Sequence, residues 1–370
     1  MKNKIENIIT VSLFCSFISI MCILYLVSPK SDFSQLEKRF LQQFPEVNVQ
    51  NVVSGTFGSE IETYLADQMP FRDFFVGLNS YFELSTGRGG ASDIYLTKNN
   101  ALVEAPAKLN EANIKKNMNA INKFSNKFDI TVDFMLVPSA GWASRNDVSG
   151  VSKEYLDADY IKVIYSMASA NINVVDVTSV FDNSSLYYKT DHHWNSLGAY
   201  MGYKSYMEKI GKEYRTKEEF TIEKVNGFYG STYSRAALWL TKPEELELWS
   251  CSKNIVVTNN ESKSEHQGLF YRERLEEVDK YTVYLDGNHS LVRIYNPDAK
   301  TDDTILVIRD SYSNCLGGFL CETYENVILI DLRYYKKPVS DLCRSENIDN
   351  ILICYSLNNF LTDKNIIWLR

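Results

Sequence analysis

The most one-sided stretch of the chain comes first. Residues 7–29 carry no charge, and 8–27 are rich in Ile, Leu, Phe, Val and Met. About 20 apolar residues at a helical rise of 1.5 Å are enough to cross a bilayer core, so this stretch predicts a membrane helix. Past it, Phe57, Ile61, Tyr64 and Leu65 recur at spacings of three and four, followed by Phe71, Phe74 and Phe75. That spacing predicts two helices over 56–86, broken at Pro70. Residues 31–49, with Leu36, Phe40, Leu41 and Phe44 set among charges, predict a short helix leading away from the membrane.

From residue 94 the pattern becomes an alternation. A short strand at 94–96 is followed by an expected helix at 110–128, with Ile114, Met118, Ile121 and Phe124 on one face, and a strand at 130–137. Helix 154–170, strand 172–177 and helix 198–210 follow. After a less regular stretch the order resumes with strand 304–308, helix 313–323, strand 326–330, helix 339–344 and strand 350–355. Alternation of this kind implies parallel strands joined by helical crossovers, with functional loops at the carboxyl ends of the strands. The expected organisation is an anchor over 1–30, a helical lead-in over 31–90, and an α/β domain over 91–370 carrying an insertion of mixed structure at about 212–290.

Charge narrows the class. The net charge of −8 argues against a nucleic-acid surface, which would cluster Lys and Arg against phosphate. Lys2 and Lys4 precede the apolar run, so the positive-inside tendency puts the N-terminus in the cytoplasm and the rest outside the membrane. A cleaved signal peptide is the competing reading, but the apolar core is long and Tyr25-Leu26-Val27-Ser28-Pro29 lacks a small-x-small cleavage pattern. Cys15 and Cys22 fall in the span. The remaining five, Cys251, Cys315, Cys321, Cys343 and Cys354, are odd in number and lack zinc-site spacing, so they are expected as buried thiols rather than a disulfide framework.

Two elements carry candidate chemistry. In Asp191-His192-His193-Trp194 an aspartate lies two residues ahead of a histidine, where it can fix the tautomer and stabilise the cation that a serine nucleophile needs from its base. The strand Ile305-Leu306-Val307-Ile308 runs into Arg309-Asp310-Ser311-Tyr312-Ser313, which puts Ser311 at a strand end just before a helix, where free amides can stabilise an oxyanion. Ser and Asp also cap helices, and histidines in a loop are often simply solvated. A metal is the sharper alternative for the pair, but adjacent histidines are expected to diverge, and neither His266 nor His289 supplies a recognisable further ligand. No metal or cofactor is expected.

Together these two elements resemble the DHHW protein family, related to the SGNH-hydrolase-like proteins that O-acetylate alginate and other cell-surface polysaccharides. The likeness extends over residues 34–45, Asp67-Gln68-Met69-Pro70-Phe71-Arg72-Asp73, Phe228-Tyr229-Gly230-Ser231-Thr232-Tyr233-Ser234, Gly287-Asn288-His289, Asp331-Leu332-Arg333-Tyr334-Tyr335 and Tyr355-Ser356-Leu357-Asn358-Asn359-Phe360. It implies a three-layer α/β/α, flavodoxin-like fold with a parallel sheet and a circularly permuted motif order, because the histidine motif precedes the serine. Carried across, the resemblance makes Ser311 the nucleophile, His193 the base, with His192 ranked second, and Asp191 the orienting carboxylate. The oxyanion is expected on the serine's own N–H and an asparagine, for which Asn358, Asn359 and Asn288 all qualify. Trp194 would wall the pocket or pack in the core, and Arg333 and Tyr334 could line it, or Arg333 could form a structural ion pair. Arg309 stands where the family has glycine, and Arg72-Asp73 is expected to be structural.

The function so implied is an extracytoplasmic, membrane-anchored O-acetyltransferase. It would act on cell-surface polysaccharide through an acyl-serine, with a membrane-bound O-acyltransferase as a partner supplying acetyl. A carbohydrate or lipid esterase using the same triad is the second reading, and a non-catalytic polysaccharide-binding or assembly protein the third.

Overall fold

The computed structural model describes residues 2–34, 36–86, 88–128, 130–260 and 264–369. The chain divides into two compact units, one formed by Met1–Gly87 with Ala237–Trp239, the other by Arg88–Ala236 with Leu240–Arg370.

In the first unit, helix α1 (Lys2–Val27) contains 24 residues, Lys4–Val27, that are long and apolar enough to cross a membrane, about 36 Å at the helical rise. Helices α2 (Thr56–Asp67) and α3 (Arg72–Ser85) flank Pro70, as the spacing predicts. The helix expected over 31–49 is absent. In its place Phe33–Ser34 pairs antiparallel with Arg39–Phe40, and a five-residue helix occupies Val49–Val53. The reason is side-chain competition for the backbone. Gln68 accepts from the Ser31 amide and donates to the Ser31 and Gln42 carbonyls, while Asp67 accepts from the Gln42 amide and both terminal nitrogens of Arg39. These side chains give the segment's polar groups partners that a helix would otherwise supply. Arg72 pairs with Glu37, a structural use of that arginine.

The second unit is built on an eight-stranded sheet. Its strands are β1 (Val132–Val137), β2 (Ile172–Val175), β3 (Val256–Asn259), β4 (His266–Gln267), β5 (Leu291–Tyr295), β6 (Thr301–Arg309), β7 (Tyr324–Ile330) and β8 (Asn350–Ser356), in the order β4-β3-β5-β7-β6-β8-β1-β2. The run from β7 to β2 is parallel, and β5, β3 and β4 extend it antiparallel. Counting from β6, the parallel strands stand 2-1-3-4-5, the flavodoxin-like order, with places four and five taken by strands that come earlier in the chain. That is the permutation the motif order implies.

Both faces of the sheet are covered, which is why its central strands read as unbroken apolar runs. Ile305 and Val307 pack on one side with α6 (Ser196–Ile210) and α7 (Ser313–Leu320), while α4 (Glu111–Ser125), α5 (Asp157–Tyr165), α8 (Val339–Ser345) and α9 (Leu357–Thr362) pack with Leu306 and Ile308 on the other. The helices after β6 and β8 leave toward opposite faces, so the crevice between those strand ends is the switch point where ligands bind in open α/β sheets.

The segment 212–290 is less separate than its irregular sequence implies. It supplies β3 and β4 to the central sheet, and it forms a hairpin of Thr221–Phe228 with Glu244–Ser250. All seven cysteines are free thiols, with Cys315, Cys321, Cys343 and Cys354 buried.

Candidate functional site

The histidine motif sits in a tight loop closed by a bridge between Tyr187 and Trp194. Glu244, from the hairpin, accepts from the Lys189 and Thr190 amides at 2.9 and 2.7 Å and from the Thr190 hydroxyl at 2.6 Å, fixing the entry to the loop. The exit is fixed by Asn195, whose side chain caps α6 by accepting from the Gly198 amide. Between these anchors the Asp191 carboxylate folds back on its own loop. Its Oδ1 accepts from the His193 amide at 2.9 Å and from His193 Nδ1 at 2.5 Å, and its Oδ2 accepts from the Ser231 amide at 2.6 Å.

On its far edge the His193 ring meets Ser311, with Nε2 and Oγ 2.8 Å apart. Ser311 follows β6 directly, at the switch point. Its loop is tethered by Asp310, which accepts from the Tyr312 amide with Oδ1 and from the Ser356 amide, the Ser356 hydroxyl and Asn359 Nδ2 with Oδ2. Asp310 thereby ties the end of β6 to the end of β8. The Ser311 amide makes no hydrogen bond among the described residues, so it remains free to act as a donor. Tyr281 stacks on the His193 ring at 4.1 Å and 9°, and its hydroxyl donates to the Ser311 carbonyl. The triad is nearly dry: Asp191, His193 and Ser311 are 2%, 5% and 8% exposed.

Burial pushes the Asp191 carboxyl up, but the charges of His193 and His192 and the donors it accepts from outweigh burial and hold it well below the usual carboxylate range. It is therefore the ionised partner that an imidazolium at His193 requires. His192 is shifted the other way for a base: burial, then the charge of His193, push it down against the pull of Asp191 and Glu104. Its Nδ1 lies 2.7 Å from Ser231 Oγ, away from Ser311.

The expectation that neighbouring histidines diverge does not hold, since the two ring centroids are 3.9 Å apart. Asp191, His192 and His193 bring ligand atoms within 4.8 Å of one another. Of their four ring nitrogens, however, all but His192 Nε2 already have hydrogen-bond partners.

Of the two roles expected of Trp194, pocket wall or core packing, the structure corrects the first and bears out the second. Trp194 is fully buried, donates from Nε1 to the Tyr312 carbonyl at 3.0 Å, and packs so tightly on α6 that a Cβ at Gly202 would lie 2.8 Å from its ring. Among the asparagines, Asn288 lies under the serine loop and accepts from Arg309 and Asn314. Asn359 donates to Asp310, and Asn358 donates one N–H to Glu104 Oε2 at 2.9 Å. Arg333 forms an ion pair with Asp331 at 2.6 Å, and Tyr334 is exposed. Arg309 is an ordinary strand residue paired in register with Cys354, so no glycine is needed there. Its buried guanidinium, pushed down by that burial, donates to Asn314 at 2.5 Å and braces the turn into α7.

A cavity of about 70 Å³ adjoins the triad, bounded by His192 and Tyr312, the chain neighbours of His193 and Ser311, and by Glu104, Gly141 and Asn358. Burial pushes the Glu104 carboxyl up, yet His192, Asn358 and Arg235 together bring it below its ordinary value.

Glu244, Tyr281 and Glu104 carry no sequence signal, because each reaches the site from a distant segment. Gly230-Ser231 is different, since it lies inside one of the blocks of resemblance. A Cβ on Gly230 would come within 2.2 Å of Asp191 Cβ and 2.6 Å of its Cα. Gly230→Ala is therefore expected to displace Asp191, lowering stability by about 3 kcal/mol and lowering activity beyond what the stability loss accounts for. Thermal melts and rates measured well below the melting temperature check this, and an unchanged rate would remove Gly230 from the support of the site.

Solved structures share this fold. A DHHW family protein from Eubacterium siraeum superposes with a TM-score of 0.66 at 19% identity, over 75% of this chain and 95% of that one. Bacillus cereus PatB1 superposes with a TM-score of 0.61 at 22% identity, over 74% and 98%. The structure of PatB1 with a sulfonyl adduct gives 0.61 at 21%, over 75% and 98%. A search of curated proteins with the sequence returned no match. The family described as DHHW protein matches residues 107–330, more than half of the chain, and the protein belongs to that family, with an SGNH-hydrolase-like fold.

Proposed function

We propose that this protein is a membrane-anchored acyl transferase that acylates hydroxyls of cell-surface polysaccharide outside the cytoplasm, with acetyl as the transferred group. The observation that carries the reading is the relay Ser311 Oγ to His193 Nε2 at 2.8 Å and His193 Nδ1 to Asp191 at 2.5 Å, at the switch point of the sheet. In the first half-reaction Ser311 attacks the donor's acyl carbon as His193 takes its proton, and His193 then returns that proton to the leaving group. In the second half-reaction a sugar hydroxyl attacks the acyl-serine by the reverse of the same steps. The Ser311 amide holds the oxyanion, and Asn358, with one amide N–H still available beside the cavity, supplies the second donor. Asn359 serves the fold through Asp310.

Two features favour a short acyl group and a sugar acceptor. The cavity beside the triad is small, about 70 Å³, which suits a short acyl group better than a long chain. The buried, aromatic-walled triad limits water, which protects an acyl-enzyme from hydrolysis. Lys2 and Lys4 ahead of α1 support an N-terminus in the cytoplasm and a catalytic unit outside it. A membrane-bound O-acyltransferase is the partner that such a topology calls for as acyl donor.

The test is partition. The full chain in detergent is given p-nitrophenyl acetate with rising concentrations of the methyl glycosides of glucose, galactose, mannose and N-acetylglucosamine, and the products are read by mass spectrometry. Acetylated glycoside is expected to grow at the expense of free acetate. Free acetate alone at every acceptor concentration would make the protein an esterase, and no turnover of the donor would leave a binding protein.

A further inference from the structure

The first unit carries a surface that the acyl-transfer chemistry does not use. Among the described residues, twelve large apolar side chains are exposed in 28–86, against nine in 88–369, a segment more than four times as long. Apolar exposure at that density marks a surface meant to be covered.

Part of it is tied to the foot of α1. Tyr25, in the last turns of α1, meets Tyr64 of α2 edge-on, with ring centroids 6.4 Å apart. Gln68, between α2 and α3, bonds both the amide and the carbonyl of Ser31, four residues past the helix end. A groove of about 610 Å³ opens at this junction, running from Ser28 and Pro29 to Met69, Phe71 and Phe74. Those last three side chains are 38%, 64% and 53% exposed. Phe71 is held at φ +57°, a left-handed conformation that is a clear outlier for a bulky residue and that points to a use for its exposed ring. The charges lining the groove are ion-paired among themselves and with their neighbours, Asp67 with Arg39 and Arg72 with Glu37 and Asp73, three carboxylates against two guanidiniums.

We propose that this rim lies in the membrane interface, with Phe71 and Phe74 seated among the ester ends of the lipid chains, so that the groove takes up phospholipid. The proposal rests on α1 crossing the bilayer. If it does, Tyr25 lies inside the span, and the groove that begins at Ser28 sits at headgroup depth, where aromatic side chains are favoured. Because these charges hold no excess of positive over negative, the groove does not call for an anionic headgroup, and phosphatidylcholine is enough for binding.

The test uses the full chain in phosphatidylcholine nanodiscs, with bromines either near the ester end or near the methyl end of the acyl chains. Phe71→Trp and, separately, Phe17→Trp in the middle of α1 each add one fluorophore to the wild-type signal. The emission added by Phe71→Trp is expected to be lost mainly to bromines near the ester end, and that added by Phe17→Trp mainly to bromines near the methyl end. If Phe17→Trp is quenched while the emission from Phe71→Trp is the same in brominated and plain lipid, the rim is outside the bilayer and the proposal is overturned. If Phe17→Trp is not quenched either, the membrane reading of α1 fails and the proposal fails with it.

Discussion

Ser311→Ala is expected to leave the protein folded and to cut turnover of p-nitrophenyl acetate by at least about four orders of magnitude. The substitution removes one hydroxyl whose sole hydrogen bond among the described residues is to His193 Nε2. The tethers that hold the loop do not involve it: Asp310 still accepts from Tyr312, Ser356 and Asn359, and Tyr281 still donates to the main-chain carbonyl at 311. Melting temperature should therefore move little while the rate collapses. A sulfonyl fluoride, which esterifies an activated serine, should label the wild-type chain at Ser311 and leave the variant unlabelled in peptide mass spectra. Turnover within tenfold of wild type in Ser311→Ala would take the residue out of the mechanism.

Asp191→Asn should come close to that loss, about four orders of magnitude in kcat, for a reason visible in the hydrogen-bond count. Both carboxylate oxygens act as acceptors, Oδ1 for two donors of His193 and Oδ2 for the Ser231 amide. An amide offers one acceptor and one donor, so whichever way it is turned, an N–H faces another N–H. With nitrogen toward Ser231, a buried donor goes unsatisfied at a cost of about 1–3 kcal/mol. With nitrogen toward His193, the ring is driven to the tautomer that carries its proton on Nε2 and cannot accept from Ser311. Either orientation also removes the negative charge that stabilises an imidazolium. Asp191→Asn should thus lower both melting temperature and rate, whereas Ser311→Ala lowers the rate alone. On the proposed mechanism the three groups act as one unit, so the double variant should be no slower than Ser311→Ala by itself. A further large drop would mean that Asp191 acts on a different step.

Much of the architecture was legible because its causes are local. The run Ile305-Leu306-Val307-Ile308 can be satisfied only by burial on both faces, which makes it a central strand. Pro70 separates α2 from α3, and α4 shows its apolar stripe at Ile114, Met118, Ile121 and Phe124. The failures also share a cause. Residues 31–49 carry an apolar spacing that suits a helix, yet Asp67 and Gln68 supply partners to their backbone from a later segment. The irregular stretch 212–290 hides β3 and β4, which are too short to show an alternation and exist because the neighbouring edge of the sheet offers them hydrogen bonds. Trp194 was open to two readings, pocket wall or core, and only Gly198 and Gly202 in α6, which clear the space that buries it, decide for the core.

By itself the sequence determined the apolar N-terminal span, the alternation that makes a parallel sheet, and the chemical types of a serine, a histidine and an aspartate in permuted order. These follow from periodicity and side-chain chemistry, which act over a few residues. Tertiary structure alone decided that 118 positions of chain close to 2.8 Å between His193 and Ser311, and that His193 rather than His192 faces the serine. It alone brought Glu244, Tyr281 and the close approach of Gly230 to the same loop. Those outcomes depend on which strand ends become neighbours in the sheet and on how closely two backbones can approach, and neither is written in any short window of sequence.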